Sequence, residues 1–411
     1  MKLFNILAIL ITLSAGFSYL NFRFIRLPNT IGLMVIALLV SLGLAIPGHF
    51  GFDLTADARR LLASIDFDET LLHGMLSFLL FAGALHVNLG NLAKQKWIIS
   101  LLATFGVLGS TIIMGFSSRW LLGLLGIDLP LIYGLLFGAL ISPTDPIAVL
   151  GILKKAGVPE SLETKITGES LFNDGVAVVI FLLLLEAATG TGQITATTVI
   201  SLFVKEVLGG VLFGLLIGTV AYWMLKSIDN YQVEVLITLA LVIGGFALAE
   251  HLHISGPIAI VVAGLLIGNH GRLLAMSDET REHLDTFWEL VDEVLNAVLF
   301  VLIGLEVLVL TFTRQHLLTG VLLIPILLLA RFVSVGIPVG VMRLFRSFSP
   351  HVLKILTWGG LRGGISVAMA LSLPPGPHRQ VILAATYVIV VFSIIVQGLT
   401  IGRLVRFSRQ H

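Results

Sequence analysis

Three carboxylates lie within two long apolar segments of this sequence. Asp145 belongs to Ser142-Pro143-Thr144-Asp145-Pro146, and both Glu169 and Asp174 belong to the segment 169–175. A charged side chain at the middle of a bilayer costs roughly 2.5 to 3.5 kcal/mol on insertion scales. A chain that keeps several such groups uses them on a cation or proton path, so both segments are candidates for a binding site.

Two prolines interrupt the first of these segments. Pro143 and Pro146 each remove a backbone donor from a helix, and the residue before each proline is biased away from helical geometry. The spacing therefore predicts a helix that breaks around Thr144 and Asp145. Broken helices at membrane depth expose carbonyl groups and are typical of cation sites in secondary transporters. The alternative is a simple proline kink in which a neighbouring helix satisfies Asp145.

The second segment places four polar side chains on two adjacent helix faces. Ser170 and Asp174 are four residues apart and share one face, while Glu169 and Asn173 share a face about 100° round the helix. A hydroxyl and a carboxylate on one stripe suit a hard cation, and Asn173 can donate and accept hydrogen bonds to hold a broken neighbour. The alternative is a polar helix–helix seam that serves only packing.

Glu169 needs a basic partner to stay ionised inside the membrane, and the candidates are Arg331 and Arg362. Arg362 lies within Gly359-Gly360-Leu361-Arg362-Gly363-Gly364, whose four glycines weaken a helix and allow close backbone approach. We therefore expect a second broken helix at this point. Small residues for tight helix packing would explain the glycines but not the arginine.

The composition is that of an integral membrane protein. Hydrophobic residues make up 57% of the 411 residues and charged residues 12%, against roughly 25% charged in soluble domains, and the mean hydropathy is +1.03. We expect an all-α protein with one membrane domain over residues 1–411 and no separate soluble domain. The absence of cysteine excludes disulfides and thiolate chemistry. The net charge of +1 does not indicate the basic surface that binds nucleic acid. The lipid bilayer is the expected partner, and no cofactor is expected.

About thirteen apolar runs are long enough to be transmembrane helices. They lie at 3–20, 28–46, 70–89, 97–118, 131–152, 166–187, 205–225, 231–249, 254–268, 286–310, 317–341, 352–373 and 380–402. The longest loops are then 47–69 and 269–285. Asp292 and Glu293 fall near the inner end of the tenth span, where we interpret them as part of a solvated interface rather than the rim of a funnel.

The basic residues orient these spans. If the C-terminus is cytoplasmic, sixteen lysines and arginines lie in inside segments and seven in outside segments, and Arg331 and Arg362 within spans complete the 25. This is the bias of the positive-inside rule. We predict a multi-pass protein of the cell membrane with its N-terminus outside and its C-terminus in the cytoplasm.

The first span has a second interpretation. Lys2, the apolar run after it and Ser14-Ala15-Gly16 also fit a cleavable signal peptide. The run lacks a small-x-small cleavage site with a polar flank and continues through Tyr19 and Leu20. We therefore favour a retained helix.

The two interrupted spans occupy corresponding places. If the seventh span links two halves of six spans each, the fifth span has the same position in the first half as the twelfth span has in the second. Interrupted segments at corresponding positions indicate an inverted repeat with a binding site where the breaks cross. We predict two inverted six-helix repeats with crossing broken helices 5 and 12.

At these residues the sequence resembles the monovalent cation:proton antiporter-1 family, specifically the prokaryotic sodium/proton antiporters of the NhaP type. The similarity is strongest at residues 142–146, 168–175, 329–332 and 359–364, and it covers essentially the whole membrane domain. The resemblance implies a secondary antiporter, not an enzyme, that exchanges Na⁺ for H⁺. It also implies a homodimer in which a core domain moves like an elevator against an interface domain.

The resemblance also implies a role for each site residue. The side chains of Asp174, Asp145 and Ser170 and the backbone carbonyl of Thr144 would bind Na⁺ or a proton.

Four further residues would organise the site. Glu169 would pair with Arg331, Asn173 would brace the unwound segment, and Arg362 would support the crossing. The Asn173-Asp174 pair resembles the electroneutral branch of the family, whose exchange is one cation for one proton.

Two other functions are weaker matches to the sequence. An intramembrane aspartyl hydrolase would use Asp145 and Asp174 as an acid–base dyad, but it requires a Gly-x-Gly-Asp context that neither aspartate has. A cation channel would require a repeated filter segment, and the sequence has a single site. Within antiport the choice among Na⁺, Li⁺ and K⁺ stays open, because the same hard oxygen ligands suit all three cations.

Overall fold

A computed structural model describes residues 3–45, 74–145, 150, 152–153, 157–190, 196–272, 275–310, 313–345, 348 and 351–410. Throughout these residues the regular secondary structure is helical, which confirms the all-α prediction. Pro146, one of the two prolines that predict the first break, lies outside the described residues.

The helices of the N-terminal part run to Lys226. They are α1 (Leu3–Leu20), α2 (Asn29–Ala45), α3 (Leu76–Leu85), α4 (Leu89–Leu101), α5 (Val107–Leu124), α6 (Leu131–Ile141), α7 (Glu160–Thr189) and α8 (Ala196–Lys226). The C-terminal part contributes α9 (Tyr231–His251), α10 (Gly256–Leu266), α11 (Asp278–Glu306), α12 (Arg314–Arg343), α13 (Val352–Trp358), α14 (Gly364–Leu371), α15 (Pro377–Phe392) and α16 (Gly398–Gln410). One π-helical turn, Leu102–Gly106, joins α4 to α5, and another, Ser393–Gln397, joins α15 to α16.

The lengths of these helices fit a membrane protein. Among the described residues, seven continuous helices are long and apolar enough to cross a bilayer, and four shorter apolar helices accompany them. The shorter ones are Asn29–Leu44, Leu76–Leu85, Leu131–Ile141 and Gly256–Gly271. The count of thirteen spans and the inverted repeat stay predictions.

Four helices begin well before their predicted spans. α4 starts at Leu89 rather than 97, and α8 starts at Ala196 rather than 205. α7 starts at Glu160 rather than 166, and α11 starts at Asp278 rather than 286, so the predicted loop 269–285 is partly helical. Ser277 caps α11 by accepting a hydrogen bond from the Thr280 backbone. Acidic residues in the first turn stabilise a helix N-terminus. Hydropathy detects only the part of a helix that lies in lipid, so it misses such polar ends.

The helices pack into two groups that alternate along the chain. The most extensive contacts of α4–α7 are with one another and with α12–α16, and we name this group the site bundle. α1–α3 and α8–α11 form the flanking bundle, in which α2 packs on α11 and α10 packs on both α3 and α8. The bundles meet where α7 contacts α8 and α10 and where α11 contacts α14.

The first helix is packed against the rest of the flanking bundle. α1 contacts α2 and α11, and Ile6, Leu10 and Phe17 are buried in the same apolar cluster as residues of those helices. This packing agrees with a retained helix, which stays a prediction.

Candidate functional site

Both predicted helix breaks are present. α6 ends at Ile141, and residues 142–145 are not helical. The Ser142 hydroxyl turns back to donate to the Gly138 carbonyl at 2.6 Å. The second break separates α13, which ends at Trp358, from α14, which begins at Gly364.

The two breaks touch each other at the centre of the site bundle. The Asp145 backbone amide donates to the Leu361 carbonyl at 2.8 Å. Arg362 Nη1 donates to the carbonyl oxygens of Ser142 at 2.6 Å and Pro143 at 2.8 Å, and the Arg362 side chain is buried. A cation next to the C-terminal carbonyls of α6 also interacts favourably with the helix dipole. Arg362 therefore holds the crossing together from the second break.

Two side chains of α7 hold the first break from the other side. Asn173 Oδ1 accepts from the Thr144 amide at 3.3 Å, and Asn173 Nδ2 donates to Thr144 Oγ1 at 2.9 Å. The Ser170 hydroxyl donates to the Thr144 carbonyl in a short contact. Since the unwound segment lacks helical hydrogen bonds, these contacts satisfy backbone groups that burial would otherwise leave unpaired.

Glu169 forms a buried ion pair with Arg331. Arg331 Nη1 lies 2.5 Å from Glu169 Oε1, and Arg331 Nη2 also donates to the Leu356 carbonyl at 3.5 Å. The sequence alone left Arg331 and Arg362 as alternative partners, and the structure places Arg331 at ion-pair distance. The pair lines a small void next to Thr144 and Asp145, so it lies directly behind the first break.

A cavity of about 840 Å³ reaches the crossing point. All four residues expected to bind the cation line it: Asp174, Asp145, Ser170 and Thr144. The four organising residues Glu169, Asn173, Arg331 and Arg362 are not among its lining residues. The cavity therefore separates side chains that can reach a ligand from those that hold the backbone around it.

The flanking bundle supplies a wall of the cavity that the sequence analysis missed. Glu289, Asp292 and Asn296 on α11 all line it. The interpretation of Asp292 as part of a solvated interface is therefore wrong, whereas Glu293, its neighbour in sequence, is exposed and does not line the cavity. The signal was present in the sequence, because residues 289, 292 and 296 recur on one helix face.

The sequence also matches a known family over almost its whole length. Residues 9–407 match the transmembrane sodium/hydrogen exchangers. The chain belongs to the sodium/hydrogen exchanger family.

Two relatives in this family are similar over almost their full length. The chain is 52% identical over 407 residues to the Na⁺/H⁺ antiporter NhaP of Pseudomonas aeruginosa, which covers 98% of this chain and 96% of the relative. It is 35% identical over 397 residues to the Na⁺/H⁺ antiporter NhaH of Halobacillus dabanensis, which covers 93% of both. The resemblance to NhaP-type antiporters is confirmed, and these relatives are named as transporters rather than enzymes.

The fold is also shared with a solved exchanger. The sodium proton antiporter MjNhaP1 from Methanocaldococcus jannaschii at pH 8 superposes with a TM-score of 0.77 at 19% sequence identity, over 98% of this chain and 99% of that one. Together with the apolar helices, family membership makes this chain a multi-pass membrane protein.

Proposed function

We propose that this chain is a secondary antiporter that exchanges Na⁺ for H⁺ across the cell membrane, one for one, with Li⁺ or K⁺ as alternative cations. The observation that carries this proposal is the position of Asp145 and Asp174, which line one cavity where two broken helices cross. The names of the NhaP and NhaH relatives support it. The chain would act as a single membrane domain and without a cofactor.

The ligand set suits a small hard cation. Asp174 and Asp145 supply carboxylates, Ser170 supplies a hydroxyl, and Thr144 supplies a backbone carbonyl at the break. Ser170 Oγ and Thr144 O are already in contact, so two neutral oxygens lie together one helical turn from Asp174. Oxygen ligands of this kind replace the water shell of an alkali cation.

Coupling follows from competition for Asp174. Its side chain is only 8% exposed, and an ionised carboxylate at such a position needs a compensating positive charge. A proton or a Na⁺ ion can supply that charge, but one occupant excludes the other. If only the compensated site crosses the bilayer, each Na⁺ moves one way for each H⁺ that moves the other way.

The two bundles support an elevator movement. The proposed cation ligands, Asp174, Asp145, Ser170 and Thr144, lie in the site bundle, whereas α11 of the flanking bundle forms the facing wall of the cavity. Sliding the site bundle past a stationary flanking bundle would carry the bound ion across without dismantling its ligands. We propose that the flanking bundle also forms a homodimer interface.

The proposed orientation follows from the positive-inside bias, with the N-terminus outside and the C-terminus cytoplasmic. Glu160 and Glu163 at the start of α7 line the same cavity as Asp145. The start of α7 follows Lys154 and Lys155, which the positive-inside assignment places in the cytoplasm, so the cavity would open toward the cytoplasm.

Proton flux in proteoliposomes tests this function. Purified protein is reconstituted with a lumenal pH dye, and Na⁺, Li⁺ or K⁺ is added with and without an imposed membrane potential. We expect lumenal alkalinisation or acidification that follows the Na⁺ gradient, reverses with it and ignores the potential. A potential-driven flux would contradict one-for-one exchange, and the absence of cation-coupled flux would favour a channel or a hydrolase.

A further inference from the structure

The wall that α11 presents to the cavity carries its own set of oxygen atoms. Glu289, Asp292 and Asn296 are spaced by three and four residues, so they form one stripe along the helix. This stripe lies in the flanking bundle, whereas the proposed cation ligands, Asp145 and Asp174 among them, lie in the site bundle.

Asn296 is held in an orientation that leaves its oxygen available. Its Nδ2 donates to the Asp292 backbone carbonyl at 2.8 Å. This hydrogen bond sets the orientation of the amide, so Oδ1 points away from that carbonyl. The Asn296 side chain is only 3% exposed, and Oδ1 has no hydrogen-bond partner among the described residues. A buried amide oxygen without a partner costs free energy unless a ligand satisfies it.

Ser366 on α14 has the same property. It is 1% exposed, it lines the cavity, and its hydroxyl has no hydrogen-bond partner within the described part of the chain. α14 packs on α11 near Asn296 and Ser366. The contact is close, because a Cβ atom at Gly364 of α14 would overlap the side chain of Leu299, which lies one helical turn from Asn296 on α11. Two buried oxygens without hydrogen-bond partners among the described residues therefore belong to side chains that line one cavity from two helices in contact.

A like-charge interaction adds a reason for a cation at this place. Asp292 of the flanking bundle and Asp145 of the site bundle line the same cavity and are close enough to interact electrostatically. Two carboxylates that share a partly buried site repel each other, and a bound positive charge between them relieves the repulsion.

We propose that Asp292, Asn296 and Ser366 form a second monovalent-cation site, at which Na⁺ exchanges part of its water shell before it passes to Asp145 and Asp174. The ligands are a carboxylate, an amide oxygen and a hydroxyl, which are hard oxygen donors. An anion is excluded by the acidic residues around it. This inference rests on the proposed function, because a staging site matters only if Na⁺ is transported.

The test separates loss of a ligand from loss of charge. Na⁺-dependent proton flux is measured for Asn296→Ala, Ser366→Ala and Asp292→Asn in proteoliposomes, with ionic strength held constant by choline chloride. Glu293→Gln is the matched control, since it removes one negative charge from the adjacent residue of α11 but does not touch the cavity. We expect each of the three variants to raise the KM for Na⁺ about threefold to tenfold with an unchanged maximal rate, while the control matches the parent protein.

Other outcomes overturn the inference. If Asp292→Asn and Glu293→Gln shift the KM equally and Asn296→Ala does not, the residues attract cations only through their general charge. If Asn296→Ala and Ser366→Ala both transport like the parent protein, no second site exists, and the antiport function stands. Because Ser366→Ala removes one atom from a helix, it keeps the test valid if Asn296→Ala fails to fold. Absence of flux in the parent protein would instead remove the proposed function itself.

Discussion

Asn173 holds Thr144 at two points. Its Oδ1 accepts from the Thr144 amide at 3.3 Å, and its Nδ2 donates to Thr144 Oγ1 at 2.9 Å. The helix α7 thereby fixes the one residue of the unwound segment whose carbonyl is a proposed cation ligand. We expect the geometry of the site to depend on this amide, because an unwound backbone has no helical hydrogen bonds to position it.

Replacement of Asn173 by Ala should therefore reduce both transport and stability. The variant leaves the Thr144 amide and hydroxyl buried without their partner, at a cost of about 1 to 3 kcal/mol. We expect a lower melting temperature in detergent and a strongly raised KM for Na⁺. Asn5→Ala, at an exposed position on α1, is the control. An unchanged KM in Asn173→Ala would show that Thr144 needs no brace.

The ion pair between Glu169 and Arg331 should respond differently to single and double changes. Glu169→Gln leaves the Arg331 guanidinium buried without its partner charge, which costs roughly 3 to 5 kcal/mol. Glu169→Gln combined with Arg331→Met removes both charges and should recover part of the lost thermal stability. Thermal unfolding in detergent measures each variant.

An exposed pair provides the control for that experiment. Asp278 and Arg281 lie 3.2 Å apart, but the Asp278 side chain is 97% exposed, so Asp278→Asn should lower the melting temperature much less than Glu169→Gln does. If the double variant melts no higher than Glu169→Gln alone, the unpaired charge of Arg331 is not the cause of the lost stability, which contradicts this prediction.

Gly363 should tolerate no side chain. A Cβ atom at this residue would overlap the Asp145 carboxyl group. Overpacking of this kind costs about 1 to 3 kcal/mol, so Gly363→Ala should weaken Na⁺ binding at least about fivefold. Gly340→Ala on α12 is the matched control, because nothing lies within 4 Å of its added methyl group. Equal KM values for the two variants would argue against Asp145 as a ligand.

Competition between Na⁺ and H⁺ predicts a specific pH dependence. Where the site is mostly protonated, a tenfold rise in proton concentration requires up to about tenfold more Na⁺ for the same occupancy. The apparent KM for Na⁺ should therefore rise as pH falls, while the maximal rate at saturating Na⁺ stays constant. Initial rates over a series of pH values measure both parameters. A constant KM with a falling maximal rate would place the proton at a separate site.

Both helix breaks could be predicted from the sequence because their causes are local. Pro143 removes a helical donor, and the glycines around Arg362 weaken a helix, so each signal lies within a few residues of its effect. Apolar runs likewise indicated an all-helical membrane protein, whereas the polar first turns of α7 and α11 lie outside such runs.

The partners of the charged groups could not be predicted in the same way. The pairing of Glu169 with Arg331 depends on how α7 and α12 pack, and no local pattern distinguishes Arg331 from Arg362. Asp292 was misplaced for a similar reason, because its role depends on which face of α11 meets the cavity. The periodicity of residues 289, 292 and 296 defines that face, but only tertiary packing shows what it contacts.

Measuring Na⁺/H⁺ exchange by the Asp174→Asn variant tests most directly the claim that one buried carboxylate binds Na⁺ and H⁺ in turn. Asp128→Asn, in an exposed loop, is reconstituted in parallel as the control for an aspartate change. Na⁺-driven proton flux is then compared at equal amounts of inserted, monodisperse protein. We predict no flux for Asp174→Asn and normal flux for Asp128→Asn; normal Na⁺-dependent proton flux in Asp174→Asn would contradict the account.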